Sequence, residues 1–343
     1  MARRIAGVGR VTVSERRSIT GHNGNPADGL RQHAPATVAD MQTPAPGTLR
    51  ILHLSDTHLT GDGALHQGTV DTTAALEALL DHLGAVDGVG LVVVSGDVSE
   101  DGSPESYATV RRLVGGWAAR RGAAFVAVPG NHDQRAGFRR VLFDGHVLGE
   151  GGQELLHTME HHDPSVPVRG RSLVAGRRVV TVDTSVPGAG YGEVGAAALE
   201  HLRTALAEPA PHGSVVVLHH PPLPAPTSLH DALKLRNPGE LAAVLRDSDV
   251  RVVLAGHYHH HFAGSLAGVP VLVAPGVAND ADVTGPYDEE TALVGTGALV
   301  VDVAEDGLLW STPVRVPRPD ADQRALHLDA ETSARIAADS GPA

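Results

Sequence analysis

Residues 49–58 read LRILHLSDTH, an apolar run that ends on Asp56 and His58. Four further stretches repeat the plan: LVVVSGD at 91–97, FVAVPGNHD at 125–133, SVVVLHH at 214–220 and VRVVLAGHYH at 250–259. Each is a short run rich in β-branched and aliphatic residues, the composition of a strand buried on both faces. Each closes on residues able to bind a metal: Asp56 and His58, Asp97, Asn131 with His132 and Asp133, His219 with His220, and His257 with His259. Strands of one parallel sheet deliver their carboxyl ends to a common edge, so donors spread over two hundred positions are expected to meet there.

The donor count sets the kind of site. Two carboxylates, one amide oxygen and four imidazoles make seven ligands, too many for one tetrahedral ion and suited to two ions that share a carboxylate. Mixed oxygen and nitrogen donors without thiolate favour Mn, Fe or Zn. Such a pair can lower the pKa of water to about 7 and clamp the attacking and leaving oxygens of a phosphoryl group, so in-line attack by a hydroxide shared between the ions is the chemistry it implies.

Around these runs, strand and helix signals alternate as in an α/β protein. VDTTAALEALLDHLG (70–84) places Val70, Ala74, Leu76, Leu79, Leu80 and Leu83 at helical spacing. A second helix is predicted from an N-cap at Ser103, with Pro104 in the first turn, to about Arg121. Asn237, Pro238 and Glu240 resemble a capping box ahead of LAAVLRD. VPVLVAPG, GALVVDV and GLLWSTPVRV are expected to form a terminal antiparallel section. No solenoid-type repeat is present.

The chain has 343 residues, 42% of them hydrophobic, enough for a substantial core. It contains no cysteine, which excludes disulfides and thiolate catalysis and fits a reducing compartment. A formal net charge of −13 lacks the basic footprint of a protein that tracks nucleic acid, and two Trp, four Tyr and four Phe leave no platform for stacked bases. A small phosphorylated substrate drawn to a local cationic centre is the better match; no nucleic-acid polymer and no membrane span are expected. Residues 1–47 are expected as a disordered extension, because scattered Gly, Pro, Asn and Arg cannot offset the entropy of ordering; the basic start lacks the apolar region of an export signal. The domain is expected at 48–317, followed by a flexible tail at 318–343 that forms at most a loose terminal helix. Cytoplasmic location is the default expectation.

With order and spacing included, the five sets resemble the calcineurin-like metallophosphoesterases over roughly residues 49–316. SGDVSEDGSPESY, LHHPPLP and AGHYHHH look most like the bacterial class III cyclic-nucleotide phosphodiesterases. The resemblance implies a four-layer α/β/β/α sandwich with a dinuclear site at one sheet edge. It further implies that Asp56, His58 and His259 hold one ion, Asn131, His219 and His257 the other, and Asp97 both. His132 would then stabilise phosphoryl oxygens or protonate the leaving oxygen, and Asp133 would help hold its loop. Purple acid phosphatases, a related group, carry a tyrosine ligand where this chain has Glu100, so a tyrosinate-bound ferric ion is not expected. The implied reaction is hydrolysis of a small phosphodiester, with 3′,5′-cyclic AMP the first candidate. Glycerophosphodiesterase, nucleotide-sugar pyrophosphatase and nuclease activities on the same site are the competing readings, and a metal-free scaffold the bland one. Members of the family often dimerise, but no interface stripe is legible for a homodimer.

Other histidines read differently. His220 is expected to pack beside a ligand, and His260 and His261 to be solvated or to support one. His146, His157, His161, His162, His212 and His230 are expected on the surface. Arg111, Arg112, Arg120 and Arg121 are expected along an exposed helix face, and Tyr258 is expected to pack. Substrate choice is expected to lie in the loops at 144–170 and 185–193.

Overall fold

A computed structural model describes residues 43–147, 154–157, 163, 166–321 and 323–341. Nearly all of the expected N-terminal extension, and His161 and His162, lie outside the described residues, as does the side chain of His157.

The LRILHL run forms β1 (Leu49–Leu54), followed by α1 (Thr72–His82) and β2 (Val89–Ser95). Asp71 caps α1 by accepting from the Ala74 N–H at 2.9 Å. Ser103 caps α2 (Pro104–Val110) with Pro104 in its first turn, as predicted. A π turn at Arg111–Gly115 then leads into α3 (Gly116–Ala119), so the expected single helix has one widened turn. The arginines at 111, 112, 120 and 121 lie along its exposed or half-exposed side. Next come β3 (Ala124–Val128), α4 (Arg135–Leu142), β4 (His146–Val147), β5 (Glu154–His157), β6 (Arg171–Val174) and β7 (Arg177–Thr181). The second half continues with α5 (Ala196–Ala205), β8 (Ser214–Val217), α6 (Ser228–Leu233), α7 (Pro238–Leu245) and β9 (Val250–Ala255). It ends with β10 (Phe262–Leu266), β11 (Val269–Val273), β12 (Asp280–Ala281), β13 (Glu290–Leu293), β14 (Gly297–Val303), β15 (Leu309–Arg315), β16 (Arg324–Leu328) and α8 (Ala330–Asp339).

Two mixed sheets result. One has the order β15-β14-β1-β2-β3-β4, the other β10-β11-β9-β8-β7-β6-β5. The ligand-bearing strands are parallel within each sheet: β1, β2 and β3 in the first, β8 and β9 in the second. The donors therefore come from the carboxyl edges of two facing sheets, not of one sheet as the sequence suggested. Strand alternation explains the layering. Leu91 and Val93 of β2 face Val215, Val217, Val252 and Leu254 in the core between the sheets. Val92 and Val94 turn to the other side, against Leu76, Leu79, Tyr107, Val110 and Phe138 of the first helical layer. Val216, Val253 and Ala255 likewise meet Leu199, Leu202, Leu241 and Leu245 of the second. The architecture is the four-layer α/β/β/α sandwich.

Three details depart from the sequence reading. β11 joins the second sheet parallel to β9, whereas β14 and β15 are antiparallel and dock β14 on β1, so the terminal section is split between sheets. Asn237 precedes α7 and its side chain caps no backbone N–H of the helix; it donates to Glu240 Oε2 at 2.8 Å and holds Val194 through two hydrogen bonds. Finally, the segment expected as a flexible tail with at most a loose helix carries a strand, β16, as well as a packed helix, α8. β16 pairs antiparallel with β13, α8 packs on α6, and Asp329 caps α8 by accepting from the Thr332 N–H at 2.9 Å. A strand of five residues, RALHL, is too short to give a clear signal of its own, and its pairing partner lies more than thirty residues away in sequence. No helix among the described residues is long and apolar enough to cross a membrane.

Candidate metal centre

Each donor set sits where a strand ends, and the backbone there is bent sharply. Asp56, His58, Asp97, His257 and His259 all have positive φ, between 44° and 73°, a region that costs a non-glycine residue energy and clusters at functional sites. Glycine makes the close approaches feasible: a Cβ on Gly130 would collide with the Asp97 carboxylate, and one on Gly96 with the His219 ring.

The turns bring the donors together. Asp56 Oδ1 lies 3.4 Å from His259 Nε2, and His219 Nε2 lies 3.2 Å from both Asp97 Oδ2 and Asn131 Oδ1. His58 Nε2 is 3.7 Å from the same Asp97 oxygen. Asp97 thus stands between the group Asp56, His58 and His259 and the group containing His219, with the His257 ring 5.0 Å from that of His219.

Outer hydrogen bonds fix which nitrogen of each imidazole faces the centre. The Nδ1–H of His58 donates to Glu100 Oε2 at 2.6 Å, that of His259 to Asn279 Oδ1 at 2.6 Å, and that of His219 to the Ser95 carbonyl at 2.8 Å. His257 donates from Nε2 to the Leu233 carbonyl at 3.1 Å, which turns its Nδ1 inward. Such outer acceptors orient the ligands of metal sites. Their consequence is visible at His58 and His259, whose inward Nε2 atoms lie 3.1 Å apart. With both Nδ1–H bonds engaged, two lone pairs face each other beside Asp56 and Asp97, an arrangement a cation relieves. The donor set fits two metal ions.

The charges of the metal-free protein agree. Burial pushes His58 and His259 down to about 4, against the pull of Glu100 on the first and Asn279 on the second, so both are neutral donors at pH 7. Burial, reinforced by His220 and His219, holds His257 well below the usual range. His219 goes the other way: burial opposes its charge, but the Asp97 carboxylate outweighs it and lifts the ring to about 9. Burial likewise works against an ionised Asp97, yet His219 and His132 hold it well below the ordinary carboxylate range. His219 keeps a proton where a cation would otherwise sit.

His132 and Asp133 have distinct surroundings. The His132 side chain is 40% exposed at the rim of the cleft, with Nδ1 3.2 Å from Glu100 and its backbone N–H donated to Asp97 Oδ1. Burial disfavours its charge, but Asp97 and Glu100 raise it to about 9. Asp133 is buried and accepts from the backbone N–H groups of Val98, Ser99 and Gly130; it ties the two loops together and does not reach the cleft.

Sequence reasoning passed over three residues. Glu100, considered only as a missing tyrosine, serves His58 and His132 and lies 3.5 Å from His66 Nδ1. His66 and Asn279, joined at 3.3 Å, back the same corner. Their signal was weak because none ends a strand. Among the other histidines, His220 packs as expected, bonded to Thr184 and Gly190. His146 and His230, expected on the surface, are buried: His146 between Ser172 and Thr181, His230 against Thr227 and Glu290. His212 is half-buried near Glu305, and His260 is paired with Asp280. Tyr258 packs inward and donates to the Leu223 carbonyl.

A cavity of about 340 Å³ opens over the centre, lined by His58, Asp97, Asn131, His132, His257 and His259 on one side. Of the two loops expected to choose the substrate, residues 185–188 line an adjoining cavity next to Asn131, and 144–170 is described only in part.

Comparison with known proteins places these observations. The calcineurin-like phosphoesterase family model matches residues 49–261. A "Probable cyclic nucleotide phosphodiesterase" of Rhodococcus erythropolis is 35% identical over 287 residues, covering 82% of this chain and 90% of that protein. A cAMP/cGMP dual specificity phosphodiesterase of Mycobacterium tuberculosis is 38% identical over 239 residues, 68% of this chain and 69% of that one. The 3′,5′-cyclic adenosine monophosphate phosphodiesterase CpdA of Pseudomonas aeruginosa is 30% identical, covering 68% of this chain and 78% of its own.

Proposed function

We propose that this chain, which belongs to the calcineurin-like phosphoesterase family, is a dinuclear-metal phosphodiesterase that hydrolyses small phosphodiesters, with 3′,5′-cyclic AMP the first candidate. The observation that carries the reading is the inward orientation of four imidazoles, each pinned from behind by a protein acceptor, around two carboxylates and one amide. The names of the cyclic-nucleotide relatives support the substrate class.

In this reading Asp56, His58 and His259 hold one ion, Asn131, His219 and His257 the second, and Asp97 is shared. When bound, two divalent ions would supply Lewis acidity at the phosphoryl oxygens and acidify water at the centre. The chain does the rest. His132 stands at the rim with Nδ1 3.2 Å from Glu100, so its exposed ring is placed to neutralise charge on an equatorial oxygen or give a proton to the departing ribose oxygen. Asp133 fixes the 130–133 loop against that of residues 98 and 99, which sets the position of His132.

The test is a panel of cyclic AMP, cyclic GMP, glycerophosphocholine, bis(4-nitrophenyl) phosphate and single-stranded DNA, run on protein reconstituted with Mn, Fe or Zn. Turnover of a cyclic nucleotide is expected. His132→Ala is expected to keep its metal, measured by elemental analysis, while kcat falls by about 10²- to 10⁴-fold. Full metal loading with no turnover of any phosphodiester would overturn the proposal, and an unchanged His132→Ala rate would remove that residue from it.

A further inference from the structure

The cavity over the centre has two unlike walls. Beside the charged donors the lining includes an apolar wall made by Leu229 and Leu233 of α6, Ala292 of β13, Leu326 and Leu328 of β16, and Ile336 of α8. Leu326 and Leu328 are half-buried and Ile336 is 37% exposed, so apolar surface is left open to the cavity. Apolar surface beside a few convergent polar groups is the usual make-up of a small-molecule subsite. The polar group here is Glu290, buried at the same cavity, accepting from Thr227 Oγ1 at 2.6 Å and lying 3.3 Å from His230 Nδ1.

We propose that the C-terminal strand and helix, β16 and α8, form the subsite for the organic part of the substrate, a planar heteroaromatic base. The base lies against Leu326, Leu328 and Ile336 and turns its polar edge to Glu290 and His230, while the phosphoryl group meets the donor side. A phosphoryl group alone has no use for this wall; a flat ring with apolar faces and a hydrogen-bonding edge matches it, and the volume of about 340 Å³ falls at the small end of the usual range for ligand pockets, roughly 300–1,000 Å³. The wall also joins the centre mechanically, because the Leu233 carbonyl that helps close it is the acceptor for His257. This inference rests on the phosphodiesterase reading above and specifies its substrate contacts.

The experiment uses the full-length, metal-reconstituted protein. Leu326, Leu328 and Ile336 are changed together to Ala, and in a second variant together to Met. The alanine variant is expected to raise KM for cyclic AMP about tenfold, roughly 1.4 kcal/mol, with kcat within about twofold. Inhibition by AMP should weaken by the same factor and inhibition by inorganic phosphate should not change; the methionine variant should restore KM. An unchanged KM in a folded alanine variant overturns the proposal, as does equal weakening of phosphate and AMP. Should the triple alanine variant fail to fold, Ile336→Asn, at an exposed position of α8, carries the test with an expected rise of about threefold; no rise overturns it. If the unaltered protein cleaves bis(4-nitrophenyl) phosphate but no cyclic nucleotide, the cyclic-nucleotide reading fails by itself, and the same criteria applied to the aryl ester decide the wall.

Discussion

The space between the two sheets and the edge where their strands end are built on opposite terms. Between the sheets, Leu91, Val93, Val215, Val217, Val252, Leu254 and Leu299 pack into one apolar core. A few residues further along the same strands, five non-glycine residues take left-handed backbone angles and buried carboxylates crowd against imidazoles. The interior is mostly apolar, with buried histidines such as His53 and His146 as exceptions; the edge gathers strained backbone and buried charge at once. Five of the ten positive-φ non-glycine residues among the described residues collect at this one edge; local conflict concentrated in this way is the signature of a site rather than of poor folding, and it persists because the apolar layers on either side hold the strands in register.

The sharpest way to break this contrast is to remove the carboxylate at its centre. Asp97→Ala should lower turnover at least about 10³-fold, with loss of bound metal in elemental analysis, while the metal-free variant keeps a cooperative melting transition. A variant that stayed active would mean that the edge is not a metal centre. Leu299→Ala should do the converse: it leaves a cavity between the sheets and costs about 2–5 kcal/mol in a denaturant titration, with activity per folded molecule unchanged. A third measurement joins the two regions. Mn²⁺ at about 100 times its dissociation constant should stabilise the wild type by about 2.7 kcal/mol, read as a rise in melting temperature that Asp97→Ala largely loses.

The smallest effect concerns pH, where one interior histidine, His146, and one edge histidine, His219, should respond with opposite sign. Burial, with His201 nearby, holds His146 down to about 3 against 6.5 in an unfolded chain. Below pH 6.5 the unfolded chain therefore takes up a proton that the folded protein refuses, and the stability tied to a neutral His146 is lost as pH falls. Relative to His146→Gln, the metal-free wild type should lose about 1 kcal/mol between pH 7.5 and 5.5. His219, raised to about 9 by Asp97 despite its burial, contributes stability that is full below pH 6.5 and lost as pH rises through 9. Calorimetry on chelator-treated protein should resolve the two slopes, and a wild-type curve parallel to that of His146→Gln would remove the first.

How much of this could be read beforehand depended on whether a residue ends a strand. The seven donors and His132 were legible because each follows a β-branched run, and periodicity in such runs survives any later packing. Glu100, His66 and Asn279 were not, since a carboxylate that orients an imidazole is defined by a neighbour remote in sequence; Glu100 and His58 are 42 residues apart. The buried state of His146 and His230 was missed for the same reason: a lone histidine carries no mark of whether hydroxyls or carboxylates will meet it.

By itself, then, the order of residues determined the strands, their two buried faces and the donors at their ends, because those follow from local alternation and composition. Tertiary structure alone decided that two sheets share the work, which nitrogen of each imidazole points inward, and that the last strand and helix wall the cavity. These depend on groups distant in the chain coming within hydrogen-bonding or packing reach, a relation that no local pattern encodes.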